Sequence, residues 1–162
     1  MNTYAAMRGK ARPRLRVHGT SVPSVDVVIT CCNEDIDIII DTVRAALNLD
    51  YPSDRFRVIV ADDGDSRQLK DLVLLWRAEN KASNVHYIRR TKTLSDRNKA
   101  GNLNNAAKFL ATLPEGPFEY IATLDADMIP ERHWLRASVP HLLIDDELGF
   151  TCPAQVCNNF IA

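Results

Sequence analysis

Four short runs of strand-forming residues, spaced by helix-length segments, constrain this chain more than any other feature. They are "VDVVIT" (25–30), "FRVIVAD" (56–62), "VHYIRR" (85–90) and "FEYIATLD" (118–125). Their β-branched and aromatic residues suit a pleated, buried backbone. After the first run comes "NEDIDIIIDTVRAALNLD", in which Ile36, Ile39, Ile40, Val43 and Leu47 share one helical face and acids cluster near the start. "YPSD" (51–54) is a turn. Asp65 and Gln68 have capping-box spacing ahead of a helix with Leu69, Leu72, Val73 and Trp76 on one side. "NKAGNLNNAAKFLATL" (98–113) predicts a loop entering a helix whose stripe is Leu103, Ala106, Ala107 and Leu110. Pro130 suits the start of a short helix that Pro140 kinks or interrupts. "GFTCPA" (149–154) is a candidate fifth strand. Strands alternating with helices imply an α/β fold, a parallel or mostly parallel sheet covered on both faces.

In such sheets ligands bind beyond the carboxyl ends of the strands. Two acidic sites fall there: "ADDG", with Asp62 and Asp63, ends the second run, and "LDAD", with Asp125 and Asp127, ends the fourth. Asp125 and Asp127 flank the small Ala126, so both can turn toward one hard cation. Mg²⁺ or Mn²⁺ takes oxygen ligands, commonly one or two carboxylates with phosphate oxygens completing the shell. A plain alternative is that Asp127 caps a helix ahead of Pro130. Asp62–Asp63 is equally readable as a capped turn with Gly64 at positive φ, or as an acceptor for a ribose hydroxyl or a base N–H. "DRNKAGNLNNA" (96–106) supplies the opposite charge. Lys99, Gly101 and Asn102 stand where a helix begins, and free N–H groups, a lysine and a close-approach glycine suit a phosphate. The alternative is an ordinary helix start with a solvated lysine. The asparagines at 102, 104 and 105 are poor helix formers, which argues for a role other than helicity. No Walker motif is present. Together these parts suit holding a nucleotide diphosphate through a metal.

At 162 residues the chain can bury one core, and no run approaches the length of a membrane span. The net charge of -1 hides an asymmetry: residues 1–16 carry +5, with no acid before Asp26. Such an arm could lie on an anionic membrane or nucleic acid, although a solvated leader (1–20) ahead of the folded part (21–162) is the simpler expectation. Cys31, Cys32, Cys152 and Cys157 form no CxxC pair and show no zinc spacing with His133 or His141. They read as reduced, mostly buried thiols, with Cys31 and Cys32 on opposite faces.

Taken in order, "VDVVITCCNED", "AALNLDYP", "FRVIVADDG", "NKAGNLNNA" and "FEYIATLDADMIPERHWL" resemble glycosyltransferase family 2, in its processive, cellulose-synthase-like branch, with fungal members as the nearest likeness. The resemblance covers about residues 20–155. It implies a GT-A, Rossmann-like nucleotide-sugar-binding fold. Carried over, Thr30, Asn33 and Glu34 line the nucleoside pocket, and Asp63, ahead of Asp62, contacts uracil or ribose. Lys99 lies near the diphosphate, Asp125 faces the nucleotide sugar and the metal, and Asp127 ligates the metal. The implied cofactor is a divalent cation, Mg²⁺ or Mn²⁺, and the implied donor a UDP-sugar, transferred with inversion to a polysaccharide acceptor. The family's later acid motif, which supplies the general base, and its Q-x-x-R-W motif are absent from these residues, so no catalytic base is assigned. Nor are the flanking membrane helices here. The expectation is therefore the donor-binding, N-terminal part of a synthase that works at the cytosolic face of a membrane, poorly active alone. The basic leader would then meet anionic lipid, and nucleic acid is not expected as a partner.

Four other readings compete. A phosphoacceptor receiver domain also has an acid pair after a strand, but after its first strand, and the 62-residue step from Asp63 to Asp125 is too long for one βαβ unit. A haloacid-dehalogenase-like phosphatase needs Thr or Val where Ile129 and Pro130 stand. A nucleotidyltransferase wants a glycine-rich basic loop where "TCCNED" is acidic. An inactive truncated relic shares the family and differs only in activity.

Overall fold

In the computed structural model, which describes residues 13–79, 84–91 and 98–153, the four runs form four strands of a single parallel sheet. The elements are β1 (Val25–Cys31), α1 (Ile36–Leu47), β2 (Phe56–Asp62), α2 (Arg67–Ala78), β3 (Val85–Arg89), α3 (Lys99–Leu110), β4 (Tyr120–Asp125) and α4 (Trp134–Leu143). Strand order is β3-β2-β1-β4. The chain winds outward from β1 to β3, then crosses back to lay β4 on the other side of β1. That reversal opens a crevice at the carboxyl ends of β1 and β4, the usual ligand position of such sheets. A receiver-type sheet would put its first strand between the second and third, so this order also removes that rival.

Burial follows position. The central strands β1 and β2 are buried at every residue, as predominantly apolar strands covered on both faces must be. The edge strand β4 alternates, with Tyr120, Ala122 and Leu124 against the core and Ile121 exposed. One face of the sheet packs on α1, α2 and α4 through Ile39, Val43, Leu69, Val73, Leu135 and Val139. The opposite face packs on α3, where Ala106 and Leu110 meet Val28, Ile59, Ala61 and Ile88. Each fully buried aliphatic side chain contributes about 1.5–3 kcal/mol relative to an exposed one. At the amino end, remote from the crevice, Asp26 and Arg57 are register partners and form a buried two-point pair at 2.8 and 3.1 Å. The backbone N–H of Phe118 donates to the same carboxylate, and the carbonyl of Gly116 accepts from the same guanidinium.

Several local expectations need correction. Ser66, not Asp65, caps α2: its hydroxyl accepts from the N–H of Leu69, while Asp65 sits outside the helix at φ 58°. Gly64 does not take the positive φ; Asn33 and Asp65 do. The fourth helix starts at Trp134 rather than at Pro130, and Pro140 lies inside it. Ala107 faces solvent, and the inward face of α3 is Asn102, Ala106 and Leu110. Residues 149–153 form no strand, and residue 154 lies outside the described residues. Of the thiols, Cys31 is buried but Cys32 and Cys152 are exposed; Cys157 is outside the described residues, as is most of the basic leader.

Candidate functional site

The two acidic strand ends stand on either side of β1. Cys31 is in register with Asp62, and Thr30 with Asp125. The two aspartates that follow β2's apolar run have separate roles. Asp62 is buried, and its carboxylate accepts from the N–H of Gly64 (2.6 Å), the N–H of Ser66 (2.7 Å) and the hydroxyl of Tyr87 (2.8 Å). It thereby builds the turn after β2. Burial, reinforced by that bond to a carboxylate, raises the Tyr87 phenol well above its ordinary range. Asp63 points the other way, into the crevice, where Arg90 grips it at 2.8 and 2.9 Å. Arg90 also donates to the carbonyl of Asn98, and Asn98 caps α3 by accepting from the N–H of Gly101.

Gly64 is needed for close approach. A Cβ there would lie 2.7 Å from Oδ1 and 2.8 Å from the backbone nitrogen of Asn33. The turns after β1 and β2 are therefore packed directly on each other.

On the other side, β4 runs out at Asp125 and the chain turns, the N–H of Met128 donating to the carbonyl of Asp125. This turn is fastened from beneath. Thr42, fully buried in α1, donates its hydroxyl to the carbonyl of Ala126 at 2.6 Å. Sequence reading passed over Thr42, because a threonine within an apolar helical face looks like filler. Asp125 is half-exposed and Asp127 exposed. Lys99, the first residue of α3, places its Nζ on Oδ1 of Asp125. Three residues on, Asn102 is buried, and its Nδ2 donates to the carbonyl of Ala61 at 2.8 Å. That bond ties α3 to the end of β2 and accounts for one of the asparagines that helix propensity disfavours. Its Oδ1 is buried without a partner among the described residues.

The result is a cleft of about 330 Å³. Of the residues singled out from sequence, the structure brings Thr30, Glu34, Asp63, Lys99, Asp125 and Asp127 together on its walls. Asn33 and Asp62 do not line it; Asn33 packs over Gly64, and Asp62 faces its own turn. Cys32 and Asn98 line it as well. Arg90, which holds Asp63, was not legible in the sequence as a site residue. Glu34 accepts from the backbone N–H of Cys32, which folds that loop back on itself. Among the described residues, four carboxylates and one lysine line the walls, with Arg90 behind them, an arrangement attractive to a cation. Among the described residues no three His, Cys, Asp or Glu side chains converge to hold an ion alone. Two hard-oxygen donors at one strand end fit a divalent cation whose other ligands arrive with a phosphorylated ligand.

Comparison with known proteins gives a consistent result. The family described as Glycosyl transferase family 2 matches residues 26–159. The UDP-forming cellulose synthase catalytic subunit of Pseudomonas fluorescens (strain SBW25) is 38% identical over 127 residues, covering 78% of this chain and 15% of that protein. Putative cellulose synthase 2 of Komagataeibacter xylinus is 33% identical over 127 residues, covering 78% of this chain and 7% of its own length. The chain thus spans a small fraction of these curated relatives. Among solved structures, the mannosyltransferase PcManGT from Pyrobaculum calidifontis, in complex with GDP-Man and Mn2+, matches with a TM-score of 0.62 at 24% identity, over 82% of this chain and 36% of that one. S. aureus TarS 1-349 in complex with UDP-GlcNAc matches with a TM-score of 0.53 at 21% identity, over 69% of this chain and 29% of that one. These likenesses establish the GT-A fold. With the matched strands, the acidic strand ends and the close sequence relatives in agreement, the chain belongs to glycosyl transferase family 2, and within it is cellulose-synthase-like.

Proposed function

We propose that the cleft is the donor site of a glycosyltransferase and takes a UDP-sugar together with Mg²⁺ or Mn²⁺. The observation that carries this reading is the convergence of Asp63, Lys99, Asp125 and Asp127 on one cleft at the switch point of the sheet. The UDP-forming activity in the name of one relative, and the nucleotide sugars and Mn2+ in the titles of solved neighbours, support the ligand class.

In this reading Asp63, fixed by Arg90, accepts from the uracil N–H or a ribose hydroxyl. Thr30 and Glu34 flank the nucleoside, with Asn33 shaping their loop from behind. Asp62 sets the turn that aims Asp63. Lys99, at the start of α3, faces the diphosphate, while the N–H of Gly101 is already taken by Asn98. Asp125 and Asp127 would hold the divalent cation. When bound, the cation supplies positive charge to the departing diphosphate.

Transfer is an inverting displacement. The acceptor hydroxyl oxygen forms a bond to the anomeric carbon, the bond from that carbon to the β-phosphate oxygen breaks, and UDP leaves with the electron pair. The hydroxyl proton passes to a base that is not among the residues assigned here. In the complete enzyme the acceptor is a growing β-linked polysaccharide, and the basic stretch at residues 1–16 lies against anionic lipid on the cytosolic side. Among the described residues no helix is long and apolar enough to cross a membrane. Deleting residues 1–16 should weaken binding to phosphatidylserine vesicles; unchanged binding removes the lipid role.

Calorimetric titration of UDP with Mn²⁺ tests the donor site. The native chain should give saturable heat, and Asp125→Ala/Asp127→Ala should lose it. Equal heats from both proteins would overturn the assignment.

A further inference from the structure

We infer that Lys99 is a built-in counter-cation for Asp125 that must leave its carboxylate before a divalent metal can bind there, so that metal and diphosphate bind interdependently. The inference rests on the donor-site reading above. Its starting point is that Nζ of Lys99 contacts Oδ1 of Asp125 across the cleft.

The two partners are unequally held. Asp125 ends a paired strand, in register with Thr30, and the turn after it is fastened by the bond from Met128 and by Thr42 on the carbonyl of Ala126. Lys99 reaches the carboxylate on a flexible four-carbon stem, and its side chain is 51% exposed. An ion pair with that much water around it is weak, so the lysine can be displaced. The aspartate stays in place.

A divalent cation on Asp125 must share a carboxylate whose Oδ1 already carries the ammonium. The two positive groups compete for one carboxylate and repel each other when both are near it. Without a diphosphate, Lys99 stays on Asp125, and metal alone binds against it. A diphosphate changes the balance, because it offers Lys99 a replacement anion near the start of α3. Each ligand then strengthens the other by the same factor, as linkage requires. The lysine thus opposes metal alone and favours the metal–diphosphate complex. A simple phosphate-binding lysine would help the nucleotide and leave free metal alone.

Free Mn²⁺ can be counted by electron paramagnetic resonance during titration of the protein, with and without saturating UDP. Lys99→Met should bind Mn²⁺ alone about tenfold more tightly than the native chain, and the enhancement by UDP should shrink by the same factor, within the usual range of coupling between sites. Lys99→Gln should repeat the result, and Lys99→Arg should restore native behaviour. Lys99→Met/Asp125→Asn should bind Mn²⁺ no more tightly than Asp125→Asn alone, which localises the gain to this pair. If the native chain binds Mn²⁺ with UDP but Lys99→Met leaves the affinity for Mn²⁺ alone unchanged or lower, the competition is refuted while the donor site stands. If the native chain takes up neither Mn²⁺ nor UDP, the donor site fails and this inference fails with it.

Discussion

Asp63 and Arg90 meet in a two-point ion pair nearly sealed from water, at 2.8 and 2.9 Å, with side chains 8% and 5% exposed. The pair joins the end of β2 to the segment after β3, and a further bond from Arg90 to the carbonyl of Asn98 reaches the cap of α3. Removing Arg90 strips the Asp63 carboxylate of two charge-assisted hydrogen bonds, which typically costs about 1.5–3 kcal/mol. Arg90→Gln should therefore lose that much in urea unfolding. Asp63→Asn/Arg90→Gln, which removes both charges, should be more stable than Arg90→Gln alone. A loss below about 1 kcal/mol for Arg90→Gln would mean that water reaches the pair.

The adjacent aspartates should separate cleanly in experiment. Asp62 accepts from three donors, so Asp62→Asn sets amide hydrogens against at least one of them and should cost about 1–3 kcal/mol of stability. Tyr87→Phe removes only one of the three and should cost about 1 kcal/mol. UDP affinity, measured on the folded variants, should fall with Asp63→Asn more than with Asp62→Asn. The reverse order would exchange their roles.

Alkaline pH should destabilise the chain through Cys31. Burial, and then the nearby charge of Asp62, raises its thiol far above the ordinary value of 9.0. Above pH 9 the unfolded chain releases this proton while the folded chain keeps it. The folded state then binds more protons, and stability falls as pH rises, by up to about 1.4 kcal/mol per pH unit for one group. Tyr87 adds to the fall above its ordinary value of 10.0. Urea midpoints from pH 8 to 10.5 should show the decline, and Cys31→Ala should flatten its first part while costing packing at every pH.

Much of this was legible in the sequence, and the reasons for success and failure are physical. Buried parallel strands need predominantly apolar runs, so β1 and β2 appear within a residue or two of their true ends. The rim could be read because a parallel sheet puts every strand's carboxyl end on one side. Partnerships across the fold were hidden. Arg90 lies 27 residues from Asp63 and meets it only because β2 and β3 are neighbours. Thr42 serves Ala126 at a separation of 84 residues. The cap of α2 lies one residue beyond Asp65, the capping-box position, because Asp62 captures the N–H of Ser66. That bond holds Ser66 just outside the helix, while Asp65 turns out to pair with Arg89. The asparagines of α3 stand out against helix propensity, and the fold supplies the reason for one of them, Asn102, which bonds the carbonyl of Ala61.

Gly64 gives the most direct test of how the rim is assembled. A methyl group there would lie 2.7 Å from Oδ1 of Asn33, 2.8 Å from its backbone nitrogen and 3.1 Å from Oδ1 of Asp62. The first contact could be relieved by rotating a side chain, but the second is with backbone. Asn33 already sits at φ 67°, in a conformation with little room to adjust. The loop after β1 must therefore move as a unit, carrying Glu34 at the wall of the cleft with it. Overpacking of this kind costs about 1–3 kcal/mol, so Gly64→Ala should lower the urea midpoint by that equivalent. It should also weaken UDP binding, although Gly64 itself does not line the cleft. Asn33→Gly, which removes the side-chain clash and frees the backbone, should recover part of both losses when combined with Gly64→Ala. Full stability and full UDP affinity in Gly64→Ala alone would show that the two turns are not packed on each other.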